Sequence, residues 1–319
     1  MKTFKSQNDA IFLHLQVSTA LMHEALKEKQ TQSIKGLETA FHQFIQQIAL
    51  PKSRLLDAMQ YALFNGGKRM RPLLVRLVAD LYGANESDIQ CASLAVECMH
   101  SYSLVHDDLP AMDDDNLRRG KPTCHIQFDE ASAILAGDAL QTLAFEVLCE
   151  FKMSAFASSK RLYLIKILAR ASGIRGMCAG QSLDLLATNK EIELEALSHL
   201  HSLKTGALLE ASVLFGANIC KQVTSGDKEN LRAFAHHIGM AFQIQDDILD
   251  VVSDTETLGK PQGSDQANNK NTFVSKLSLE GAKQELNNHH QEALHALDRL
   301  PYNTRNLVLF TDYMMTRTF

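Results

Sequence analysis

Apolar residues recur at intervals of three and four along most of the 319-residue chain, with polar residues between them. This spacing predicts amphipathic α-helices, because residues three and four apart share one face of a helix. Only 16 glycines and 6 prolines interrupt the pattern, mostly where helix ends are expected. The pattern therefore predicts an all-α fold, with about a dozen helices packed into one bundle around a central cavity and a single domain over residues 1–319.

The same pattern gives approximate bounds for the predicted elements. Two or three helices are expected within residues 7–64, with breaks near Gly36 and Pro51. Later helices are expected over residues 129–153, 158–188, 193–216, 228–252, 274–298 and 303–317. The polar residues 253–272 predict a long loop, a kind of segment that often forms a lid over a site.

Another apolar helix leads into the most acidic stretch of the chain. From Cys91 onward it contains no glycine or proline until Pro110, which predicts a helix end near Asp108. Five aspartates then follow: Asp107, Asp108, Asp113, Asp114 and Asp115. Adjacent carboxylates at a helix C-terminus are opposed by the helix dipole, and a divalent cation such as Mg²⁺ would compensate them. A solvated acidic loop is the alternative, which the preceding apolar helix disfavours.

Polar residues on that helix indicate a cavity. His100, Ser103 and Asp107 fall at positions i, i+3 and i+7, so they lie along one stripe. A polar stripe on an otherwise apolar helix is typical of a helix that lines a cavity. The aspartates would then lie at the mouth of that cavity.

A second acidic helix is predicted over residues 228–252. Gln243, Asp247 and Asp250 lie along nearly the same side, with Asp246 one turn before Asp250. Burying unpaired carboxylates is costly, so these groups need compensation. We expect a second acidic site that faces the first.

Basic residues form a third group of candidates. A glycine pair precedes Lys68, Arg69 and Arg71, which offer donors suited to phosphate oxygens. Lys204-Thr205-Gly206 lies among apolar residues and predicts a helix kink, which would turn backbone carbonyls outward. Lys204 reaching to solvent is the alternative interpretation of that motif. Gln181 and Asp184, three residues apart, resemble ordinary polar positions on their own.

Composition limits the possible partners and location. A net charge of -5 and a pI near 6.2 give no reason to expect nucleic acid or an anionic membrane as a partner. No uninterrupted apolar run is long enough for a membrane span, and no signal peptide is indicated. The six cysteines show no C-x-x-C spacing and are expected to be reduced thiols. These features predict a cytoplasmic protein.

Six motifs in order resemble the trans-isoprenyl diphosphate synthases, a polyprenyl synthetase family, and among its members most closely the bacterial farnesyl type. They are GGKRMRP, HDDLPAMDDDNLRRGKPTCH, GQSLDL, KTG, FQIQDDILD and TLGK, over residues 55–270. The resemblance implies an isoprenoid-synthase-type helical bundle around a central active-site cavity, usually a homodimer. It implies head-to-tail condensation of isopentenyl diphosphate with dimethylallyl or geranyl diphosphate, by ionisation, condensation and elimination. Farnesyl diphosphate is the expected product, with geranyl or geranylgeranyl diphosphate as the alternative.

The resemblance also implies a role for each matching residue. Asp107 and Asp113 would hold Mg²⁺ from one wall and Asp246 from the other, giving about three ions per site. The supporting acidic residues would be Asp108, Asp247 and Asp250. The isopentenyl diphosphate would be bound by Lys68, Arg71, His100 and Arg119. The allylic diphosphate would be bound by Arg118, Lys204 and Lys260.

The remaining implied roles concern the hydrocarbon parts of the substrates and the allylic cation. Carbonyls near Lys204 and Thr205, with Gln243, would stabilise the allylic cation, and Phe242 would pack on the isopentenyl group. Tyr102 would block the pocket below Asp107 and stop chain growth, with the small Ser103 beside it. The resemblance assigns the final proton loss to the released pyrophosphate.

Four other classes of protein match the sequence less well. A class I terpene cyclase would lack the GGKR motif and normally carry a different second acidic motif. A di-iron bundle would use the Glu97–His100 and Glu292–His295 pairs and leave both aspartate motifs unexplained. A non-catalytic subunit would typically have lost those motifs. An EF-hand fails because Leu117 and Arg118 occupy positions that should carry a ligand and a glycine.

Overall fold

The structure is a computed structural model that describes residues 2–49, 51–252 and 270–316, with side chains described from Glu24 onward. Its helices are α1 Lys2–Gln47, α2 Arg54–Phe64, α3 Met70–Leu81, α4 Glu86–Asp107, α5 Cys124–Gln127, α6 Glu130–Glu150, α7 Ala155–Ser159, α8 Arg161–Ser172, α9 Met177–Ala187, α10 Leu194–His201, α11 Ala207–Asn218, α12 Ser225–Val252, α13 Phe273–Asp298 and α14 Arg305–Thr316. Residues Ser202–Gly206 form a π-helical segment between α10 and α11. The predicted all-α fold is confirmed.

Helix α4 lies at the centre of the bundle and packs against α3, α6 and α11. Its middle part is buried on every side, with Cys91, Leu94, Val96 and Met99 fully inaccessible to solvent. Burying a side chain of leucine size contributes about 1.5–3 kcal/mol. The helix that ends in the aspartate motif is therefore anchored by the hydrophobic core.

The predicted break near Gly36 is wrong, because α1 runs through that position. A Cβ atom at Gly36 would come within 3.2 Å of Arg76 Nη2 and 3.3 Å of Glu86 Oε1. Arg76 and Glu86 form an ion pair between α3 and the start of α4. Gly36 thus allows close packing in a continuous helix rather than ending one.

The single helix predicted over 158–188 is also wrong, because the structure has a turn between α8 and α9. A Cβ atom at Gly176 would lie 2.1 Å from the carbonyl oxygen of Ala171, so this turn has no room for a side chain. The turn redirects α9 against the π-helical segment, with which it is in contact.

A short hairpin interrupts the helical pattern after the aspartate motif. Strands β1, Leu117–Arg118, and β2, Lys121–Pro122, pair antiparallel. Arg119 and Gly120 between them have φ values of 56° and 73°, as in a two-residue type I′ turn. The hairpin, which the helical periodicity did not predict, presents two consecutive arginines to the same region.

One described helix, α6, is long and apolar enough to cross a membrane by length and composition alone. In the most apolar part of α6, 44% of the residues are buried. One side of α6 packs along α4, which accounts for part of its apolar character. Ile134 and Leu135 remain exposed at 43% and 56%.

Candidate active site

The aspartate motif folds back on the end of α4. The helix ends at Asp107, as predicted, and Asp108 is its C-cap. The backbone N–H of Asp113 donates to the carbonyl oxygen of Asp107 at 2.9 Å, and that of Met112 donates to Leu109 at 2.8 Å. The chain therefore returns through the turn at Pro110, which brings the backbones of Asp107 and Asp113 together.

The carboxylate of Asp107 lies in a partly buried setting that disfavours its charge. Burial raises the pKa of Asp107 to about 6, while the ammonium group of Lys204 acts to lower it and the carboxylate of Asp113 acts to raise it. Among the described residues, no hydrogen bond or ion pair satisfies this carboxylate. A bound cation would compensate it.

Asp108 has a different environment from Asp107. It is 3% exposed, and Arg118 Nε donates to its Oδ1 at 2.6 Å. Burial raises the pKa of Asp108, against the opposing effect of Arg118. Arg118 also lies 3.4 Å from Asp115, so it connects the hairpin to both ends of the aspartate motif.

The predicted kink at Lys204 is confirmed as the π-helical segment. Such a segment interrupts the regular i to i+4 bonding of an α-helix and redirects its carbonyl groups. Two glycines on neighbouring helices make room for it. A Cβ atom at Gly180 of α9 would lie 2.2 Å from Lys204 N, and one at Gly239 of α12 would lie 3.1 Å from Gly206 Cα.

Lys204 lies between α9 and the first aspartate motif. Its Nζ is 2.5 Å from Asp184 Oδ2. Burial opposes its charge, but Asp184, Asp107 and Asp113 together hold the pKa of Lys204 above its ordinary value. Asp184, which sequence reasoning treated as an ordinary polar residue, is therefore its direct partner.

The π-helical segment also contacts the second acidic helix. Thr205 Oγ1 donates to Gln243 Oε1 at 3.2 Å, and Gln243 Nε2 donates to Asp247 Oδ1 at 2.9 Å. The backbone N–H of Phe273, at the start of α13, donates to Asp247 Oδ2 at 2.7 Å. Asp247 is 2% exposed and fixes both the Gln243 amide and the start of α13. Asp250, one turn later by sequence, is equally buried.

The two acidic motifs approach a shared region. The carboxylate of Asp246 acts to raise the pKa of Arg71, and the carboxylate of Asp107 acts to raise the pKa of Lys204. The segment that carries Lys204 also bonds to Gln243, three residues before Asp246. The second acidic motif therefore faces the same part of the molecule as the first.

A buried arginine and histidine form the core of the basic group. Arg71 Nη1 lies 3.2 Å from His100 Nε2. Burial, with the charges of Arg71 and Arg119, lowers the pKa of His100 well below its usual range, so the neutral ring accepts from Arg71. Burial also lowers the pKa of Arg71 to about 10. Its Nε is buried without a hydrogen-bond partner among the described residues, as expected of a group that binds a ligand.

The glycine pair places the basic loop against the hairpin. Gly67 has φ of 98°, and a Cβ atom there would lie 2.3 Å from the guanidinium carbon of Arg119. Arg119 Nη1 donates to the carbonyl oxygen of Gly66 at 2.6 Å. Lys68, next in the loop, lies 6.0 Å from the ring centre of Tyr313. The structure thus brings Lys68, Arg71, His100 and Arg119 to one end of α3 and α4.

Arg69, which the sequence analysis grouped with the phosphate donors, has a structural partner instead. Its Nη1 donates to Glu97 Oε1 at 2.6 Å, and the two residues are 6% and 1% exposed. This pairing also occupies Glu97 of the first Glu-x-x-His pair. Glu292 and His295 of the second pair are exposed and contact each other.

Tyr102 of α4 lies below Asp107 and contacts two neighbouring helices, α6 and α9. Its hydroxyl is 3.6 Å from Cys178 Sγ on α9, and its ring packs edge-on against His106 at 5.0 Å. Burial and Cys178 raise its pKa, while a hydrogen bond with Gln141 of α6 acts to lower it. Ser103 Oγ donates to the carbonyl oxygen of His100 at 2.8 Å. Sequence reasoning identified Tyr102 but not the partners that hold its hydroxyl.

Two other predicted positions are Phe242 and Lys260. Phe242 is partly buried and packs against the hydrophobic core. Lys260 and most of the predicted loop lie outside the described residues.

The donor set fits Mg²⁺. Among the described residues, no three His, Cys, Asp or Glu side chains come close enough to hold a metal ion by themselves. Mg²⁺ commonly takes only one or two carboxylates and completes its shell with water and substrate phosphate oxygens. The partly buried, unpaired carboxylate of Asp107, with Asp113 beside it, matches that requirement.

Comparison with known proteins identifies the class. A sequence model of the polyprenyl synthetase family matches residues 52–302. The chain belongs to this family.

Individual relatives give a finer comparison. The chain is 46% identical over 295 residues to a farnesyl diphosphate synthase of Haemophilus influenzae, covering 92% of this chain and 98% of that protein. A geranyltransferase structure from Legionella pneumophila superposes with a TM-score of 0.82 and 36% identity, covering 94% and 98% of the two chains. A Helicobacter pylori geranyltransferase, solved with magnesium and isoprenyl diphosphate, gives 0.77 and 34%, with 91% and 98% covered.

Proposed function

We propose that this prenyltransferase condenses isopentenyl diphosphate with dimethylallyl or geranyl diphosphate and releases farnesyl diphosphate and pyrophosphate. One observation carries the proposal. The aspartate motifs of α4 and α12 approach one region, with Lys204 and Thr205 between them and a buried cationic group alongside. The similarity to curated farnesyl diphosphate synthases supports the same activity.

The acidic walls would hold the metal ions. Asp107 and Asp113 would bind Mg²⁺ from the α4 side and Asp246 from the α12 side, with about three ions per site. Asp108, Asp247 and Asp250 would support these ligands. Bound Mg²⁺ would neutralise the charge that develops on the departing pyrophosphate. The relative solved with magnesium and isoprenyl diphosphate supports this assignment.

The cations would divide between the two diphosphates. Lys204 and Arg118, each next to the α4 aspartates, would donate to the allylic diphosphate, together with Lys260. Lys68, Arg71, His100 and Arg119 would bind the isopentenyl diphosphate, which keeps its diphosphate and so needs fixed donors rather than metal. The unpaired Nε of Arg71 supports that role.

The π-helical segment would stabilise the allylic cation. Its redirected carbonyls carry partial negative charge, and the Thr205 hydroxyl and Asp247 hold the Gln243 amide in one orientation. Phe242, one residue before Gln243, would pack on the isopentenyl hydrocarbon. Tyr102, below Asp107, would limit the product to the farnesyl length.

We further propose a homodimer that forms through α6. Helix α6 is apolar, yet Ile134 and Leu135 on it are exposed, and Ile126 on the adjacent α5 is 50% exposed. A second copy of the chain would cover this surface. In a two-fold symmetric dimer the same patch of each copy forms the contact, so the apolar surface of one copy would pack against that of the other. All six cysteines are free thiols, which supports the proposed cytoplasmic location.

An assay of purified protein with dimethylallyl and isopentenyl diphosphates and Mg²⁺ tests the activity. We expect farnesyl diphosphate as the main product, and we expect Asp107→Ala and Asp246→Ala each to lower kcat by at least about 100-fold, since each removes transition-state charge compensation. Asp138→Ala, at an exposed aspartate outside the acidic motifs, is the matched control and should keep full activity. Full activity of either motif variant would contradict the proposal.

A further inference from the structure

A groove between α8, α11 and α12 carries a concentration of positive charge outside the candidate active site. The groove encloses a cavity of about 350 Å³, and none of its lining residues belongs to the site described above. Four lining residues are basic: Lys166, Arg170, Arg175 and Arg232. Since Glu210 is the single acidic residue among the described residues that line it, the formal charge of the groove is +3, whereas that of the chain is -5.

Most of these cations are unpaired. Within the described parts of the chain, Lys166, Arg170 and Arg175 form no ion pair or hydrogen bond through their side chains. Arg232 Nε lies 3.7 Å from Glu210 Oε1, a distance at which the two charges only partly compensate. Burial also raises the pKa of Glu210. An anion would therefore meet three unpaired cations and only one weakly compensating carboxylate.

The pKa of a neighbouring lysine reflects the same excess of positive charge. Lys228 lies one turn before Arg232 on α12. Its pKa is lowered by burial and then by the charges of Lys160 and Arg232. The positive field thus extends beyond the lining residues, and it would attract anions to the groove.

Apolar residues also line the groove. Ile167 of α8 and Ala207, Ala211 and Leu214 of α11 line it. The three unpaired cations all come from α8 and the turn that follows it. The groove is therefore amphipathic, with cations along α8 and an apolar wall along α11 that Glu210 interrupts.

We propose that this groove binds a small amphiphilic anion, in which a phosphate-type group carries a short aliphatic chain. The phosphate would contact Lys166, Arg170 and Arg175, and the chain would lie along α11. A bare phosphate would leave the apolar wall in water, whereas an uncharged chain would leave the cations uncompensated. Cavities of this size commonly bind small molecules through an apolar lining and a few charged groups.

The sequence offers a direct reporter for this groove, because the chain contains no tryptophan. Tyr163 lines the groove and is 37% exposed, so Tyr163→Trp places the sole tryptophan there. Leu162→Trp is the matched control, since Leu162 is the adjacent residue on α8, is 80% exposed and does not line the groove. The probe is n-octyl phosphate below its micelle concentration, with a chelator present so that metal-dependent binding at the catalytic site does not contribute.

We expect n-octyl phosphate to shift the emission of Tyr163→Trp saturably and to leave that of Leu162→Trp unchanged. Inorganic phosphate and n-octanol should each bind at least about tenfold more weakly, because each satisfies only half of the groove. Adding Arg170→Glu to Tyr163→Trp should weaken binding of the probe by about tenfold or more. Basal prenyltransferase activity of Arg170→Glu should remain.

Three results would overturn the proposal: no saturable shift, an equal shift in Leu162→Trp, or an affinity unchanged by Arg170→Glu. A shift caused by phosphatidylglycerol vesicles but not by n-octyl phosphate would also overturn it, because the groove would then recognise a lipid surface. Should Tyr163→Trp fail to fold, equilibrium dialysis of labelled n-octyl phosphate against the unaltered protein and against Arg170→Glu measures the same difference in affinity. Equal affinities in the two proteins would again overturn the proposal.

Discussion

At the scale of single residues, neighbouring arginines have different environments. Arg69 and Arg71 lie two residues apart, but Arg69 pairs with buried Glu97 while Arg71 keeps a buried Nε without a partner in the described chain. The first arrangement contributes to the integrity of the fold, and the second leaves a donor for a ligand. The partner of each side chain, rather than its charge, distinguishes the two roles.

The Arg69–Glu97 pair should contribute to stability. We expect Glu97→Ala to lower the free energy of unfolding by about 3–5 kcal/mol, because it leaves a buried guanidinium without its carboxylate. Urea denaturation followed by circular dichroism measures the change. As a control, Glu280→Ala removes an exposed ion pair with Lys283 and should cost less than about 1 kcal/mol. Equal losses of unfolding free energy in the two variants would show that the buried pair contributes no more to stability than the exposed pair.

Tyr102 should determine product length. We expect Tyr102→Ala to shift the product from farnesyl to geranylgeranyl diphosphate or longer chains, because removal of the ring opens space below Asp107. Tyr102→Phe keeps the ring but loses the contacts with Cys178 and Gln141, so it should give a smaller shift. Chromatography of the dephosphorylated products measures both. Tyr163→Ala, outside the active site, is the control, and an unchanged product from Tyr102→Ala would exclude this role.

The sequence identified most candidate residues at this scale but few of their partners. Asp107, Lys204 and Gln243 were recognisable from motif and spacing. The contacts of Lys204 with Asp184 and of Tyr102 with Cys178 join residues far apart in the chain, so no local pattern could reveal them. The assigned roles of the site residues stay predictions until they are tested.

At the scale of elements, close helix packing holds the π-helical segment in place. Gly180 and Gly239 lie against it from α9 and α12, where a side chain would collide with its backbone. Sequence reasoning located the kink from Gly206 but could not show what packs there. For the same reason it misplaced the break at Gly36, whose small size accommodates the Arg76–Glu86 pair from other helices.

A side chain at position 180 should therefore impair catalysis. We expect Gly180→Ala to lower kcat/KM by about 100-fold, because a displacement of Lys204 by about 1 Å disturbs the reacting geometry. Steady-state kinetics measures the effect, and circular dichroism verifies the fold. Gly226→Ala on α12 is the control, since the nearest atom to its Cβ would be 3.9 Å away. Unaltered kinetics in Gly180→Ala would mean that α9 does not position the segment.

The contact between α12 and α13 should depend on pH. His237 Nδ1 and His289 Nδ1 lie 2.9 Å apart. Burial, with the neighbouring His289 and His236, lowers the pKa of His237 to about 4. Glu292 acts to raise that pKa and Arg299 acts to lower it. Burial also lowers the pKa of His289, which Glu285 opposes.

Because the folded state keeps these rings neutral, the unfolded state binds more protons below its pKa of about 6.5. The associated stability is present above that pH and is lost as pH falls toward 4. We expect the Tm to fall between about pH 7.5 and pH 5, and His237→Gln to reduce that fall. Thermal denaturation at the two pH values measures it. The exposed His295→Gln should leave the fall unchanged, and the same result for His237→Gln would contradict the assignment.

At the scale of the whole molecule, the helix beside the active site also carries the apolar surface proposed for dimerisation. Helix α6 contacts α4 on one side and supplies Gln141 to Tyr102, while Ile134 and Leu135 remain exposed. Assembly and product length would then depend on the same helix. The single-domain interpretation of residues 1–319 stays a prediction.

A charge placed on this surface should prevent dimerisation. We expect Leu135→Asp to convert a dimer to a monomer, since it introduces like charges at an isologous contact. Size-exclusion chromatography with light scattering measures the mass. Leu162→Asp is the control, because Leu162 is more exposed than Leu135 but lies on α8. A dimer that persists in Leu135→Asp would place the interface elsewhere.

The π-helical segment Ser202–Gly206 also constrains which codon deletions the gene can tolerate. A π-helical turn holds one residue more than the corresponding α-helical turn. Deleting one codon there would restore regular α-helical winding, and the later side chains of α11 would keep their direction, because the wide turn absorbs the extra residue. The buried face of α11 would survive, whereas the carbonyl groups that the wide turn redirects would return to regular i to i+4 bonding. We therefore expect a single-codon deletion in this stretch to cost activity while leaving the helical fold in place.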